Sequence, residues 1–173
     1  HRDLHSFPTR RSSDLATVIA TGSSRKSVEH CKQAGADFVV GHPSNKTATE
    51  ILEFTSGRKV DRIVDGDFGV NLPSALDVLK TNGVIATYSS MTNMNPVIPF
   101  VRMMFMDITV RMVLVYAMPG EAKQQAIEDI TDMLTGGNFD HRVAATFPLE
   151  QSAKAHNEIE RGDNYGSVII TIN

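Results

Sequence analysis

The chain has 173 residues, a formal net charge of −3 and one cysteine, Cys31, a length suited to a single domain. Charges of both signs are mixed, with no basic stripe to recommend nucleic acid as a partner. No apolar run approaches the roughly 20 residues needed to cross a bilayer, and a lone cysteine allows neither an internal disulfide nor a cysteine-based zinc cluster; a cytoplasmic address follows by default.

Residues His1–Leu15 (HRDLHSFPTRRSSDL) show no hydrophobic period and no continuity with the segment that begins at Ala16. They resemble, one codon per residue, the translation of a common sequencing-library adapter, so residues 1–15 are expected to be a non-native leader. Arg10-Arg11 suggests a twin-arginine export signal, but the residues after it are Ser12, Ser13 and Asp14 rather than an apolar stretch of about 7–15 residues.

From Ala16 the chain alternates strand and helix. Ala16 to Thr21 reads as a strand ended by Gly22-Ser23-Ser24, and Ser24 to Ala34 as a helix with Val28, Cys31 and Ala34 on one face and Gly35 as its stop. Phe38 to Val40 is a short strand, Thr47 to Phe54 a helix, and Val60 to Asp65 a strand. Pro73 to Thr81 is expected as a helix stopped by Gly83, followed by a strand over Val84 to Tyr88. Beyond it come a loop with Pro96 and Pro99, a helical turn over Phe100 to Met106, and the longest β-branched run, Ile108 to Tyr116. A long helix over about 120–134, a strand over 143–147, a helix over 149–159 and a strand over 167–172 complete the chain. Short apolar strands separated by amphipathic helices indicate an α/β fold with a doubly wound parallel sheet.

Three stretches carry a family resemblance. ATVIATGSSRKSVEHCKQAGAD (Ala16–Asp37) resembles the second strand, helix and "GAD" turn of the medium-chain dehydrogenase/reductase family. FPLEQSAKAHNEIERGDNYGSVIITIN (Phe147–Asn173) is similar to that family's closing segment. Between them, Val70-Asn71-Leu72 and Gly83-Val84-Ile85 resemble the zeta-crystallin-like branch, the zinc-independent NADPH:quinone oxidoreductases. The resemblance implies an incomplete Rossmann-type sheet, because no G-x-G-x-x-G turn occurs in the chain and the family's lies upstream of a segment like Ala16–Thr21. It assigns residues 16–147 to a truncated coenzyme-binding domain and 148–173 to a helix and strand that return to a catalytic domain.

NAD enzymes of such folds place an acid about 20 residues after the glycine turn, to accept from the ribose hydroxyls. Here that place reads Gly22-Ser23-Ser24-Arg25-Lys26, two hydroxyls and two cations without a carboxylate, which suits the 2′-phosphate of NADPH. The plain alternative is an N-cap serine followed by a solvated first turn. Basic residues there oppose the helix dipole, which favours a ligand. The resemblance adds His42 beside the same phosphate. It also notes that many relatives carry Lys where this chain has Ser27. At the carboxyl ends of later strands it points to Asn71, to Tyr88-Ser89-Ser90 near the nicotinamide ribose, to Val113 and Val115 through their backbone, and to Gly166 in the closing turn. Asp67 has no counterpart in most relatives and reads as a solvated loop acid.

His30 and Cys31 are adjacent and so face different sides of a helix, and His141 and His156 are isolated, so no metal site is expected. His156 reads as a packed or capping residue, and no catalytic residue is assigned. The resemblance implies an NADPH-dependent reductase of a quinone or other conjugated carbonyl (enone). The alternatives are a zinc-dependent alcohol or polyol dehydrogenase of the same superfamily and a non-enzymatic NADPH-binding relative. The 173-residue chain alone is expected to be inactive. The run Ile108–Tyr116 is expected to be an edge strand pairing two copies into a homodimer.

Overall fold

The structure, a computed structural model, describes residues 16–41, 44–137, 142–162, 164 and 166–172. The expected leader (residues 1–15), His42 and His141 lie outside the described residues. In chain order the elements are β1 (Ile19–Gly22), α1 (Arg25–Gln33), β2 (Phe38–Gly41), α2 (Thr47–Phe54), β3 (Val60–Asp65), α3 (Phe68–Val78) and β4 (Leu79–Thr87). They continue with α4 (Phe100–Phe105), β5 (Thr109–Met112), α5 (Gly120–Thr135), β6 (Val143–Pro148), α6 (Ser152–Glu160) and β7 (Ser167–Thr171). The described residues fall into two compact units, those up to residue 39 with those from 128 onward, and those between 40 and 127.

In the first unit, α1 packs against β1, and α6 against the parallel pair β6–β7. The "GAD" turn has a clear physical role. Gly35 takes φ +93°, the left-handed conformation that ends a helix without a Cβ penalty. The Asp37 carboxylate then accepts the Val18 N–H at 2.8 Å, while the Asp37 N–H donates to the Val18 carbonyl at 2.9 Å. Helix end and strand start are thereby tied together, and β1 and β2 form a two-stranded sheet.

The second unit is built on the parallel sheet β3–β4–β5. Ile63, Ile85 and Val110 stand in one row across it. Against that row pack Phe68, Leu72, Ala75 and Leu76 of α3 and Leu79, with Met103 and Met106 at the margin. Leu76, Leu79 and Ile85 are fully enclosed.

Thr47–Phe54 and Val60–Asp65 fall where the sequence places them. Three elements depart. The helix expected over residues 73–81 runs from Phe68 to Val78. Proline favours the first turn of a helix, but Pro73 here lies inside one. Its missing N–H leaves the Gly69 carbonyl without the usual i−4 donor, and the Asn93 side-chain amide approaches that carbonyl at 3.5 Å. The strand expected at Val84 begins at Leu79, because residues 80–83 bulge out between the pairs Val60↔Leu79 and Arg62↔Val84. Asn82, at φ +62°, turns that bulge and donates its N–H to Met106 at 2.9 Å.

The third correction concerns the strand expected over 108–116, which spans only Thr109–Met112. The Val113 N–H donates to the Thr87 carbonyl at 2.7 Å, and residues 115–117 turn into a 3-10 helix. A proline at Val113 would therefore break a bond inside the subunit rather than a ladder between copies.

Because Leu76 is completely enclosed in the core of the second unit, Leu76→Ala should destabilise the fold by about 2–5 kcal/mol, the sum of lost burial and residual cavity. Urea unfolding followed by circular dichroism measures this, and a loss below about 0.5 kcal/mol, the range of surface substitutions, would contradict the packing described.

Candidate functional site

In the first unit the site is built around the start of α1. Ser24 is its N-cap, with the hydroxyl accepting the Ser27 N–H at 3.1 Å while the Ser27 hydroxyl accepts the Ser24 N–H at 2.9 Å. This reciprocal capping box gives Ser27 its role: the residue closes the cap. Ser24 thus serves as the cap, and Ser23, Arg25 and Lys26 remain exposed beside it. No acid occupies the first turn of α1. The first N–H groups of any helix lack intrahelical acceptors and favour an anion, and two cations flank them here.

Gly22 is required by packing. A Cβ there would stand 2.8 Å from both the backbone nitrogen and a methyl of Val28, so only glycine lets β1 run this close to α1. Gly166, at φ +124°, lies against Arg142; a Cβ would come within 2.4 Å of the Arg142 carbonyl oxygen. Arg142 has no local signal in the sequence to mark it. It lines one cleft of about 480 Å³ together with Arg25, Lys26, Glu29, His30 and Gln33.

In the second unit the expected residues gather at the carboxyl ends of β3 and β4, the edge where parallel sheets bind ligands. Asp65, 4 % exposed, is the anchor, although locally it reads only as the acid that ends β3 and opens the loop to Asn71. Its Oδ1 accepts the Asp67 N–H at 2.7 Å and the Asn71 side-chain amide at 2.9 Å. Asp67 accepts the Thr92 N–H at 3.2 Å and so ties the following loop down, rather than standing as a solvated loop acid. The Ser89 carbonyl accepts the Phe68 N–H at 3.0 Å, and the Ser90 hydroxyl accepts the Gly69 N–H at 2.9 Å and donates to the Asn93 carbonyl. Ser89 and Ser90 therefore cap the N-terminus of α3. Tyr88 is exposed, and its ring lies over Gly66, where a Cβ would meet the phenol oxygen at 2.9 Å. Val113 has its N–H engaged by Thr87, and Val115 opens the short 3-10 turn.

Cys31 sits against the Thr21 carbonyl at 4.0 Å, and burial pushes its thiol up from the ordinary range, so it is a poor nucleophile or metal ligand at neutral pH. His156 is exposed rather than packed. Among the described residues no group of three or more His, Cys, Asp or Glu is placed to hold a metal ion, and no helix is long and apolar enough to cross a membrane.

A sequence model described as "Zinc-binding dehydrogenase" matches residues 13–132. The chain is 26 % identical over 163 residues to a 2-haloacrylate reductase of Burkholderia sp, a match covering 90 % of this chain and 48 % of that protein. The chain spans about half the length of the curated relatives it matches. Among solved structures, a quinone oxidoreductase of Pseudomonas syringae pv. Tomato DC3000 superposes with a TM-score of 0.78 at 22 % identity, covering 95 % of this chain and 51 % of that one. The mycobacterial protein Rv1454c, solved in complex with NADPH, gives 0.80 at 21 % identity, covering 95 % and 52 %. At these identities the structural likenesses speak for the fold, which is the Rossmann-like α/β arrangement with parallel sheets that the sequence leads one to expect. The chain belongs to the zinc-binding dehydrogenase family.

Proposed function

We propose that this chain is the coenzyme-binding part of an NADPH-dependent oxidoreductase that delivers hydride to a quinone or another conjugated carbonyl. The observation that carries the cofactor reading is the first turn of α1, which offers Arg25 and Lys26 and no acid. A carboxylate there would repel a 2′-phosphate, whereas a guanidinium binds one by charge-assisted hydrogen bonds. The relatives lean the same way: one is a reductase of a haloacrylate, itself a conjugated acid, one a quinone oxidoreductase, and one was solved with NADPH. In this reading Ser23, Arg25 and Lys26, with Ser24 as cap, serve the adenosine side, and the family resemblance assigns His42 to the same phosphate and Asn71, Tyr88, Ser89, Ser90, the backbone of Val113 and Val115, and Gly166 to the rest of the coenzyme.

The coenzyme supplies the hydride, while this chain binds and orients it. None of the described residues is assigned a proton transfer. A zinc-dependent alcohol or polyol dehydrogenase, with ligands supplied from outside this chain, is the other reading within the family; no step of the proposed reaction runs through zinc. A glycine-rich turn, a further strand and a substrate domain preceding Ala16 complete the proposed parent, with residues 16–147 in its coenzyme domain and 148–173 returning to the substrate domain.

We also propose that the parent is a homodimer. β5 is an edge strand of its sheet, and Met112 at its end with Leu114, Val115 and Tyr116 beyond it are between 59 and 88 % exposed. An apolar edge of this kind invites self-pairing. Light scattering should give twice the monomer mass at micromolar concentration, and Leu114→Glu with Tyr116→Glu should give a monomer; a monomeric unsubstituted parent would end the idea.

In the parent, Arg25→Ala should lower kcat/KM for NADPH by about ten- to a hundredfold, since hydrogen bonds to charged groups contribute about 1.5–3 kcal/mol, and leave that for NADH nearly unchanged. An equal effect on both coenzymes would show that Arg25 acts on the fold and not on the phosphate. The 173-residue chain by itself should show no enzyme-like turnover of a quinone with NADPH, because pyrophosphate recognition rests on a glycine-rich turn that it does not contain. Turnover at ordinary enzymatic rates, about 1–1000 per second, would refute this.

A further inference from the structure

At the amino end of the sheet, away from Asp65 and the Ser89–Ser90 loop, β4 bulges out of its pairing with β3 between Leu79 and Val84. The bulge makes demands on two consecutive residues. Position 82 takes φ +62°, in the left-handed region that asparagine enters more readily than most residues with a Cβ. Position 83 has no room for a side chain, because a Cβ there would stand 2.6 Å from Leu79 and 2.8 Å from the Lys80 carbonyl oxygen. Asn82-Gly83 meets both demands, and it is the one Asn-Gly pair in the sequence. Asn82 is exposed. Among the described residues no hydrogen bond holds its side chain. By contrast the side-chain amides of Asn71, Asn93 and Asn164 donate to the Asp65 carboxylate and to the Gly69 and Glu158 carbonyls. The Asn82 main chain is engaged: its N–H donates to the Met106 carbonyl at 2.9 Å, and Met106 packs on the core cluster of α3 and β4. The bulge is therefore the point where β4 is tied to the end of α4.

We propose that Asn82 is a site of spontaneous covalent modification, at which deamidation through a succinimide converts asparagine to aspartate and isoaspartate. The Gly83 main-chain nitrogen, having lost its proton to hydroxide, attacks the Asn82 side-chain carbonyl carbon. The carbon–nitrogen bond of the side-chain amide breaks, and that nitrogen leaves as ammonia with a proton taken from water. One water then opens the cyclic imide. Opening at the side-chain carbonyl gives aspartate, and opening at the main-chain carbonyl gives isoaspartate, in which the chain runs through the former side chain. Water is the co-reactant and nothing is oxidised or reduced. Glycine at position 83 leaves the attacking nitrogen unshielded by a Cβ, and the Asn82 side chain gives up no hydrogen bond when it turns toward that nitrogen. The bulge itself maintains the reactive pair, since a side chain at 83 collides with Leu79 and most side chains at 82 pay the left-handed penalty. Isoaspartate lengthens the main chain by one carbon within the bulge. The Asn82 N–H then loses its register with the Met106 carbonyl, and the end of α4 is released from β4. The site is independent of the coenzyme reading.

The test ages the 173-residue chain in mildly alkaline buffer, with a second sample aged in urea. Mass spectrometry of tryptic peptides reads the conversion of each asparagine, and methyl transfer from S-adenosylmethionine by a protein isoaspartate methyltransferase reads the isoaspartate. The tryptic peptide spanning residues 81–102 should shift by the mass difference between an amide and an acid. Fragmentation should place that shift at Asn82 and leave Asn93 an amide, and the aged chain should accept methyl groups. It should also unfold at a lower urea concentration than the fresh chain. The control is Asn82→Gly, in which glycine takes the left-handed turn. Shown folded by circular dichroism, it should accept no methyl group at this position and keep its urea midpoint on ageing. An Asn82 that stays an amide in the folded chain would overturn the proposal, and its conversion in urea over the same time would assign the protection to the fold. Conversion to aspartate without isoaspartate would overturn the succinimide route, and isoaspartate with an unchanged urea midpoint would overturn the link to Met106.

Discussion

A carboxylate with only 4 % of its surface exposed, Asp65, fixes the turn from β3 into α3. Removing a carboxylate from water is costly unless hydrogen bonds replace its hydration. Here the Asp67 N–H and the Asn71 amide, both from the adjoining turn and helix start, supply two of them. That requirement shapes the surroundings. The turn must fold back over Asp65, which starts α3 at Phe68, and the helix's first N–H groups then meet Ser89 and Ser90 rather than a cap of their own. Asp67, facing outward from the same turn, reaches the Thr92 N–H and holds the loop after β4. One buried acid thus positions Asn71 and, through the start of α3, the residues that meet Ser89 and Ser90.

The start of α1 follows a different logic. Cations in a first turn are repelled by the partial positive charge of the helix end, typically by a few tenths to about 1 kcal/mol. The capping box of Ser24 and Ser27 offsets that by satisfying two backbone N–H groups with two side-chain oxygens. A bound anion would remove the conflict altogether, since it favours both the helix end and the cations. The local sequence is therefore consistent with a helix that is adequately stable alone and better matched with a phosphate in place.

Much of this was legible in the residues. Helix Thr47–Phe54 and strand Val60–Asp65 carry clean periods and Gly punctuation, and the closing segment carries the family's pattern. Element edges failed where a non-local bond decides them. Pro73 suggests a helix start, yet the helix begins five residues earlier because Asp65 and the Ser89–Ser90 carbonyl and hydroxyl stabilise that start from outside. The β-branched run Ile108–Tyr116 suggests a long strand, yet the pairing ends at Met112, after which the Val113 N–H turns to Thr87. Asp65 and Arg142 could not be singled out for the same reason. Nothing local marks Asp65 as buried, and Arg142 meets Gln33 across 109 residues of chain. Ser27 stood out only as a departure, and its function in the cap needed the geometry.

The central claim is that the first turn of α1 selects the phosphorylated coenzyme. The most direct measurement is calorimetric binding of NADPH and NADH to the parent, this chain joined to the glycine-rich turn and substrate domain proposed to precede it. The account predicts that NADPH binds at least about tenfold more tightly, the contribution of one charge-assisted contact to the 2′-phosphate. Equal affinities, or tighter binding of NADH, would contradict it.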